Sequence, residues 1–163
     1  AIKKGLANQK VQENAINVMN TLNDYVSIKM NKYNINSCTD ITGFGLLGHL
    51  NEMCKGSLLT AKINYDRIPK INSTESFAKK GVIPGGTKNN LKFLLNEISF
   101  NNSIDLFEQY ILADAQTSGG LLISCSKENS KALINDLNLS KKFNSEIIGE
   151  FIEKKSKNIY CDK

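Results

Sequence analysis

The clearest indication of the fold is CTDITGFGLLGHLNEM, which occupies residues 38–53. Residues 35–39 predict a short strand, and residues 43–53 predict a buried helix with small residues on one face. Asp40 therefore stands at the point where a strand ends and a helix is about to begin. Strands and helices that alternate in this way are typical of an α/β or α+β domain.

This junction is the first of three loops whose residue types suit ligand binding. Thr42 and Gly43 follow Asp40 after one residue, Ile41, and glycine lets a backbone approach a ligand closely. The start of a helix offers unpaired N–H groups to an anion. An aspartate there can bind Mg²⁺, which prefers carboxylate oxygen, water and substrate phosphate. The alternative is that Asp40 or Thr42 only caps the helix and that the glycines only permit close packing.

The second loop is GVIPGGTKNN, residues 81–90. Its Pro-Gly-Gly sequence, which includes Gly85 and Gly86, predicts a sharp turn. Thr87 has the chemistry of an N-cap for a helix that continues through Leu95. The turn and the helix start can cradle an anion, whereas the alternative is an ordinary loop before a capped helix.

The third loop is DAQTSGG, residues 114–120. A carboxylate, an amide and two hydroxyls precede a Gly-Gly pair there, and the candidate binding residues are Gln116, Thr117, Ser118 and Gly119. Taken alone, the loop is compatible with a surface turn. Three polar, glycine-containing loops in one small domain favour a single polar site on which all three converge.

The rest of the chain predicts further helices and strands. Helical spacing over residues 8–33 predicts one long helix or two helices that abut near Asn23. The other predicted helices are 74–80 and 127–137, and the other predicted strands are 57–64, 121–125, 146–152 and 158–161. Residues 99–103 are expected to be a polar connector, and 106–113 fit either a helix or a strand. The expected fold is a single α/β (α+β) two-layer domain over residues 1–163.

Composition narrows the classes of function. The chain has 163 residues, 40% of them hydrophobic and 23% charged, as in ordinary globular domains. It has no apolar run of about 18 residues and no signal-like start, so we expect a cytoplasmic protein without a membrane partner. The net charge is +5, but only one of the 21 basic residues is arginine. Because the lysines are scattered, nucleic-acid binding is not expected.

The thiols and the imidazole do not form a catalytic signature. Cys38, Cys54, Cys125 and Cys161 lack CxxC or Cys/His spacing, so we interpret them as reduced thiols without a zinc ion. Neither Cys38 nor Cys125 has a base nearby in sequence, so each is expected to be a small buried residue rather than a nucleophile. His49 is the only histidine, and without an identified partner it is expected to be a structural or surface group.

Together the three loops resemble the C-terminal half of the selenophosphate synthetase (selenide, water dikinase) family. The resemblance rests on CTDITGFGLLGHLNEM at 38–53, GVIPGGTKNN at 81–90 and LADAQTSGGLLIS at 112–124, which stand in the family's order. The opening KKGLANQKVQ is also similar to the family's sequence before this half. Ala115 is a departure, since the family commonly has proline there. Enzymes of the aminoimidazole-ribonucleotide (AIR) synthetase superfamily share the fold.

The resemblance implies a mixed sheet covered by helices, as in AIR synthetase C-terminal domains. It also implies a dimeric parent enzyme that uses Mg²⁺ and makes selenophosphate, AMP and phosphate from ATP, selenide and water. The family's reactive Cys or selenocysteine and its lysine lie in an N-terminal half, so no catalytic nucleophile is expected in residues 1–163. The family's metal-binding aspartate corresponds to Asp40.

The sequence leaves two alternatives to this assignment. One is another ATP-dependent enzyme of the AIR synthetase superfamily, and the other is a binding module without catalysis. A selenium-dependent assay distinguishes the first alternative. The sequence upstream of this chain distinguishes the second.

Overall fold

The computed structural model describes residues 1–140 and 144–163. Its helices are α1 Gln9–Asn20, α2 Asp24–Met30, α3 Gly45–Ser57, α4 Thr74–Lys79, α5 Gly85–Leu94, α6 Leu106–Leu112 and α7 Lys127–Asn138. Its strands are β1 Ile35–Asp40, β2 Thr60–Asn64, β3 Ile98–Phe100, β4 Leu121–Cys125, β5 Gly149–Ile152 and β6 Ile159–Asp162. A short 3₁₀ turn, Tyr65–Arg67, follows β2.

The strands form two separate sheets. The larger has the order β3-β6-β2-β5, in which β6 runs parallel to both neighbours and β5 runs antiparallel to β2. The smaller is an antiparallel ribbon of β1 and β4. The expected mixed sheet under helices is therefore confirmed, and the two-stranded ribbon is an addition that the sequence did not predict.

Each sheet has its own group of buried apolar side chains. The larger core packs α3, α5 and α6 onto the four-stranded sheet and includes Leu47, Leu50, Leu112 and Ile159. The smaller core joins α2 and α7 to the ribbon through Val26, Leu133 and Leu137. Apolar spacing along each helix explains which face is buried, since residues three and four apart share a face.

The N-terminal helical region is two helices, which was one of the two possibilities. The Asn8 side chain accepts a hydrogen bond from the Val11 N–H at 3.0 Å and caps α1. The chain leaves helical geometry at Thr21, and α2 begins three residues later. The residues between them include Asn23, close to the expected break.

Two of the expected boundaries were wrong, and the structure decides one segment that fitted either a helix or a strand. The expected polar connector 99–103 begins inside a strand, because Ile98–Phe100 pairs with β6. The strand expected over 57–64 starts only at Thr60, because α3 extends to Ser57 and ends on Leu58 in a left-handed conformation with φ 56°. Residues 106–113, which fitted either state, contain a helix that opens with an Asp105–Glu108 capping box.

No helix among residues 1–140 and 144–163 combines the length and apolar character needed to cross a lipid bilayer.

Candidate functional site

The ribbon brings the first and third loops together. Because β1 and β4 are antiparallel, the end of β1 lies beside the start of β4, and Asp40 pairs with Leu121. The pairing continues past the strands, since the Ile41 N–H donates to Gly120 O and the Gly119 N–H donates to Ile41 O, both at 2.9 Å. The Gln116 N–H then donates to Thr42 O at 3.1 Å. The two loops are thus held together by backbone hydrogen bonds.

Thr87 joins the second loop to the third. Its hydroxyl donates to Asp114 Oδ1 at 2.8 Å and accepts from the Ala115 N–H at 3.2 Å. The residue is 1% exposed. A buried hydroxyl that both donates and accepts fixes the spacing of the two chains it connects.

The expected N-cap role of Thr87 was wrong. Helix α5 begins at Gly85 with Pro84 as its N-cap, so Thr87 lies within the first turn. Pro84 has the extended backbone that is usual for an N-cap residue, with φ −61° and ψ 149°, and no side chain caps this helix in the described part of the chain. The threonine hydroxyl is therefore free to bind Asp114 instead of its own helix.

The capping explanation for the first loop was also wrong. The residue that precedes α3 is Phe44, and no side chain caps this helix. The contact of Thr42 with the start of this helix is made by its backbone oxygen, which accepts from the Gly45 N–H at 2.9 Å. The carboxylate of Asp40 is exposed and takes part in no hydrogen bond or ion pair with the described residues. It is available to an external ligand.

Asn90 completes the connection among the three loops. Its side-chain amide donates to Gly43 O at 2.8 Å and to Ala113 O at 3.2 Å. One residue of α5 therefore holds the backbone of both other loops. Sequence reasoning missed this role, although Asn90 is the last residue of the GVIPGGTKNN motif. An amide three residues after Thr87 on the same helix face was the available signal.

Glycines allow the loops to approach this closely. Gly45 has φ +70°, and a Cβ there would lie 2.6 Å from Asp114 O. A Cβ on Gly119 would lie 2.7 Å from Ile41 O. Side chains at these two positions would force the first and third loops apart.

The other candidate binding residues, Gly85, Gly86, Thr117 and Ser118, do not join one loop to another through the described contacts. Gly85 and Gly86 are exposed at the start of α5, where the first N–H groups of a helix have no intrahelical partner. Gly86 only approaches Ala115, from which a Cβ would be 3.3 Å away. Thr117 is exposed and Ser118 half-buried, and neither side chain forms a hydrogen bond that links two loops of the described chain.

The carboxylate of Asp114 lies where the second and third loops meet. Burial raises the pKa of this carboxyl, and the hydrogen bond from Thr87 acts in the opposite direction. Burial disfavours the charged form of Asp114, and the hydrogen bond from the Thr87 hydroxyl stabilises that form. The sequence identified Asp114 as a polar group of the third loop but did not predict this partner.

We expect Thr87→Val to destabilise the protein by about 1–3 kcal/mol, because the near-isosteric change leaves Asp114 and the Ala115 N–H without a partner. It should also raise the pKa of Asp114 further, since the bond that lowers it is lost. Urea unfolding at several pH values measures both effects. Thr87→Ser, which keeps the hydroxyl, is the matched control and should retain most of the stability. An unfolding free energy for the valine variant equal to that of the wild type would contradict the role of the hydroxyl.

Asp40 is the candidate metal ligand of the three loops. Among the described residues, no group of three or more His, Cys, Asp or Glu side chains could hold a metal ion. Asp40 fits one carboxylate ligand of Mg²⁺, an ion that commonly keeps several waters and takes one or two carboxylates together with phosphate oxygens. The residues present therefore fit a contribution to a metal site rather than a complete site.

The expectation that Cys38 is a buried residue was wrong, because its position on β1 of the two-stranded ribbon leaves it exposed, and Cys125 on β4 is half-buried. The thiols nevertheless lack the environment of a nucleophile. Desolvation, with a smaller contribution from the charge of Asp40, raises the pKa of the Cys38 thiol, and burial raises those of Cys54 and Cys125. Cys161 is buried and its pKa is strongly raised by the same cause. A raised pKa keeps a thiol protonated and unreactive at neutral pH.

The fold and these loops define a recognised class of domain. Residues 2–162 match the family model described as AIR synthase related protein, C-terminal domain, and the chain belongs to this family. Its curated relatives include proteins named "Selenide, water dikinase". The one from Clostridioides difficile (strain 630) is 38% identical over 98% of this chain, and the one from Aliarcobacter butzleri (strain RM4018) is 39% identical over 98%. A third, from Treponema denticola, is 46% identical over 74% of this chain.

The matched region is only part of each relative. This chain spans 46% of the length of the Clostridioides and Aliarcobacter proteins, and the match covers 34% of the Treponema protein. The resemblance to the selenide, water dikinase family that the three loops indicated is thus confirmed across nearly the whole chain.

Proposed function

We propose that this chain is the C-terminal part of a selenide, water dikinase, an enzyme that forms selenophosphate, AMP and phosphate from ATP, selenide and water. The observation that carries this proposal is the similarity to proteins of that name along 98% of the chain, at 38% and 39% identity. The three interlocked loops support it, because they contain the sequence motifs on which the resemblance rests.

The loops suit a role at the phosphates of ATP. The start of α5, with exposed Gly85 and Gly86, presents N–H groups that attract anions. The Asn90 side chain links Gly43 to the same helix, and the Gln116 N–H links Thr42 to the third loop. In this proposal, Thr42, Gly43, Gly85, Gly86, Gln116, Thr117, Ser118 and Gly119 form the phosphate-facing surface. The buried Thr87 supports this surface from inside, through its hydrogen bonds to Asp114 and Ala115.

Asp40 would hold Mg²⁺ from the edge of this surface. Its exposed carboxylate stands at the end of β1, immediately before the first loop. When bound, the ion would neutralise phosphate oxygens and orient the displacement. Asp40 contributes one negative ligand, while the loops position the phosphates through backbone groups and restrict the access of water.

The rest of the site would come from other parts of the enzyme. A preceding domain would provide the reactive Cys or selenocysteine, the lysine and further carboxylates, and the complete enzyme would be a cytoplasmic homodimer. The raised thiol pKa values of the four cysteines support a nucleophile that lies outside this chain.

The test compares the complete enzyme with this chain alone. The full-length protein should form AMP from ATP only when selenide is added. Residues 1–163 alone should unfold cooperatively, bind Mg-ATP weakly or not at all, and consume no ATP above the blank. A lone carboxylate holds Mg²⁺ poorly because the ion keeps its waters.

Each alternative function gives a different result in this test. ATP consumption by the full-length protein that does not depend on selenide would favour another AIR synthetase-superfamily enzyme. No ATP consumption by either form would favour a binding module. Micromolar affinity of the isolated chain for Mg-ATP, measured by calorimetry, would contradict the proposed division of the site.

A further inference from the structure

The imidazole of His49 contacts Thr42 of the first loop. His49 lies in α3 and is 8% exposed, and the Thr42 backbone N–H donates to its Nε2 at 3.2 Å. The Thr42 hydroxyl lies 3.2 Å from the same nitrogen. On the other side of the ring, Nδ1 lies 3.2 Å from Glu52 Oε2. The side chain thus connects the solvent-facing Glu52 to the loop that carries Thr42.

These contacts define which ring nitrogen carries the hydrogen in the neutral imidazole. A backbone N–H can only donate, so Nε2 must be the nitrogen without a proton. A carboxylate accepts, so Nδ1 carries the hydrogen and donates it to Glu52. The Phe44 ring, tilted against the imidazole with centroids 5.9 Å apart, further restricts the orientation of the ring. One neutral tautomer therefore satisfies both partners.

We infer that His49 is a positioning residue, which in its Nδ1–H tautomer holds Thr42 and so sets the placement of the first loop. Within residues 1–140 and 144–163, the Thr42 N–H has no partner other than His49, whereas the Thr42 backbone oxygen accepts from the Gly45 and Gln116 N–H groups. His49 thus binds the N–H of Thr42, whereas the third loop binds its backbone oxygen. The consequence for catalysis rests on the proposed function, since it is in that function that the first loop meets phosphate and Mg²⁺.

Two amide substitutions separate this role from a general structural one. The carbonyl oxygen of His49→Gln reaches about as far as Nε2 and can accept from the Thr42 N–H. The shorter side chain of His49→Asn places its amide near Nδ1 and leaves the Thr42 N–H without a partner. The two variants are similar in polarity, so a purely structural role predicts that activity follows melting temperature in both.

The direct tests use NMR on residues 1–163. Long-range ¹H–¹⁵N spectra should show that Nε2 is the unprotonated ring nitrogen at neutral pH. Amide exchange at Thr42 should accelerate by about tenfold or more in His49→Asn and remain near the wild-type rate in His49→Gln, because one buried hydrogen bond is lost only in the former. A proton on Nε2, or equal exchange at Thr42 in the two variants, would overturn the inference.

The activity test uses the full-length enzyme with matched variants. We expect kcat/KM for Mg-ATP to fall by about tenfold in His49→Asn and by less than about threefold in His49→Gln. Equal losses in both variants, or losses that follow melting temperature, would overturn the positioning role. If the full-length protein shows no selenide-dependent activity, the proposed function fails, and the tautomer and the Thr42 exchange rates still decide the role of His49.

Discussion

Asp40→Asn in the full-length enzyme should reduce selenide-dependent AMP formation by about two orders of magnitude or more. The substitution is nearly isosteric but removes the negative charge that a divalent ion requires. A metal contact to developing phosphate charge contributes several kcal/mol to the transition state, which corresponds to at least this loss. Stability should change little, because the carboxylate is exposed and makes no hydrogen bond or ion pair with the described residues.

The measurement pairs melting temperature with AMP formation across a Mg²⁺ titration. Asp66→Asn is the control, since Asp66 is also exposed and lies in the 3₁₀ turn after β2, away from the three loops. It should keep wild-type turnover. Near-normal turnover of Asp40→Asn at ordinary Mg²⁺ concentrations would remove Asp40 from the metal site.

Gly45→Ala should be the most damaging small substitution in the loop region. The residue has φ +70°, which costs an alanine about 1–2 kcal/mol, and its Cβ would lie within 2.9 Å of three backbone atoms of Ala113 and Asp114. Relief of such overlap by backbone movement typically costs about 1–3 kcal/mol more. We expect the unfolding free energy to fall by about 3 kcal/mol and the melting temperature by roughly 6–12 °C.

A second glycine in the same helix provides the control. Gly56 lies near the end of α3, and a Cβ there would meet nothing within 4 Å. Gly56→Ala should therefore stabilise the protein by about 0.5–1 kcal/mol, as alanine restricts the unfolded chain and suits a helix. Thermal and urea unfolding of both variants measure the difference. Equal effects at the two positions would contradict the close approach of the first and third loops.

The sequence predicted the parts of this fold that local pattern controls. The strand–loop–helix at 35–57 and the final helix and strands have regular apolar spacing, and their positions were correct within a few residues. The start of α5 was misplaced because Thr87 carries a capping side chain, yet tertiary contact with Asp114 uses that hydroxyl instead. Likewise, Ile98–Phe100 becomes a strand only because β6, which is distant in sequence, lies beside it.

The candidate site could likewise be predicted from the sequence only in part. Asp40, Thr42 and the glycines could be selected from the sequence because their residue types suit ligands. The hydrogen-bond partners of Asn90 and His49 could not be predicted from the sequence. An amide or imidazole in a helix has many possible partners until the fold brings one within reach. The family resemblance supplied the chemistry of the loops, but it did not supply the hydrogen bonds that fix their relative positions.

The two separate cores give the domain an uneven distribution of local stability. In the part of the chain that the structure describes, the core around the ribbon contains three buried apolar residues, Val26, Leu133 and Leu137, whereas the core under the four-stranded sheet is several times larger. A unit with few buried contacts opens at lower free energy than the whole domain. The ribbon with α2 and α7 should therefore behave as its own cooperative unfolding unit. The hydrogen bonds of Ile41 and Gly120 lie on the boundary of that unit, so transient opening of the ribbon would release the third loop from the first while the larger core stays folded.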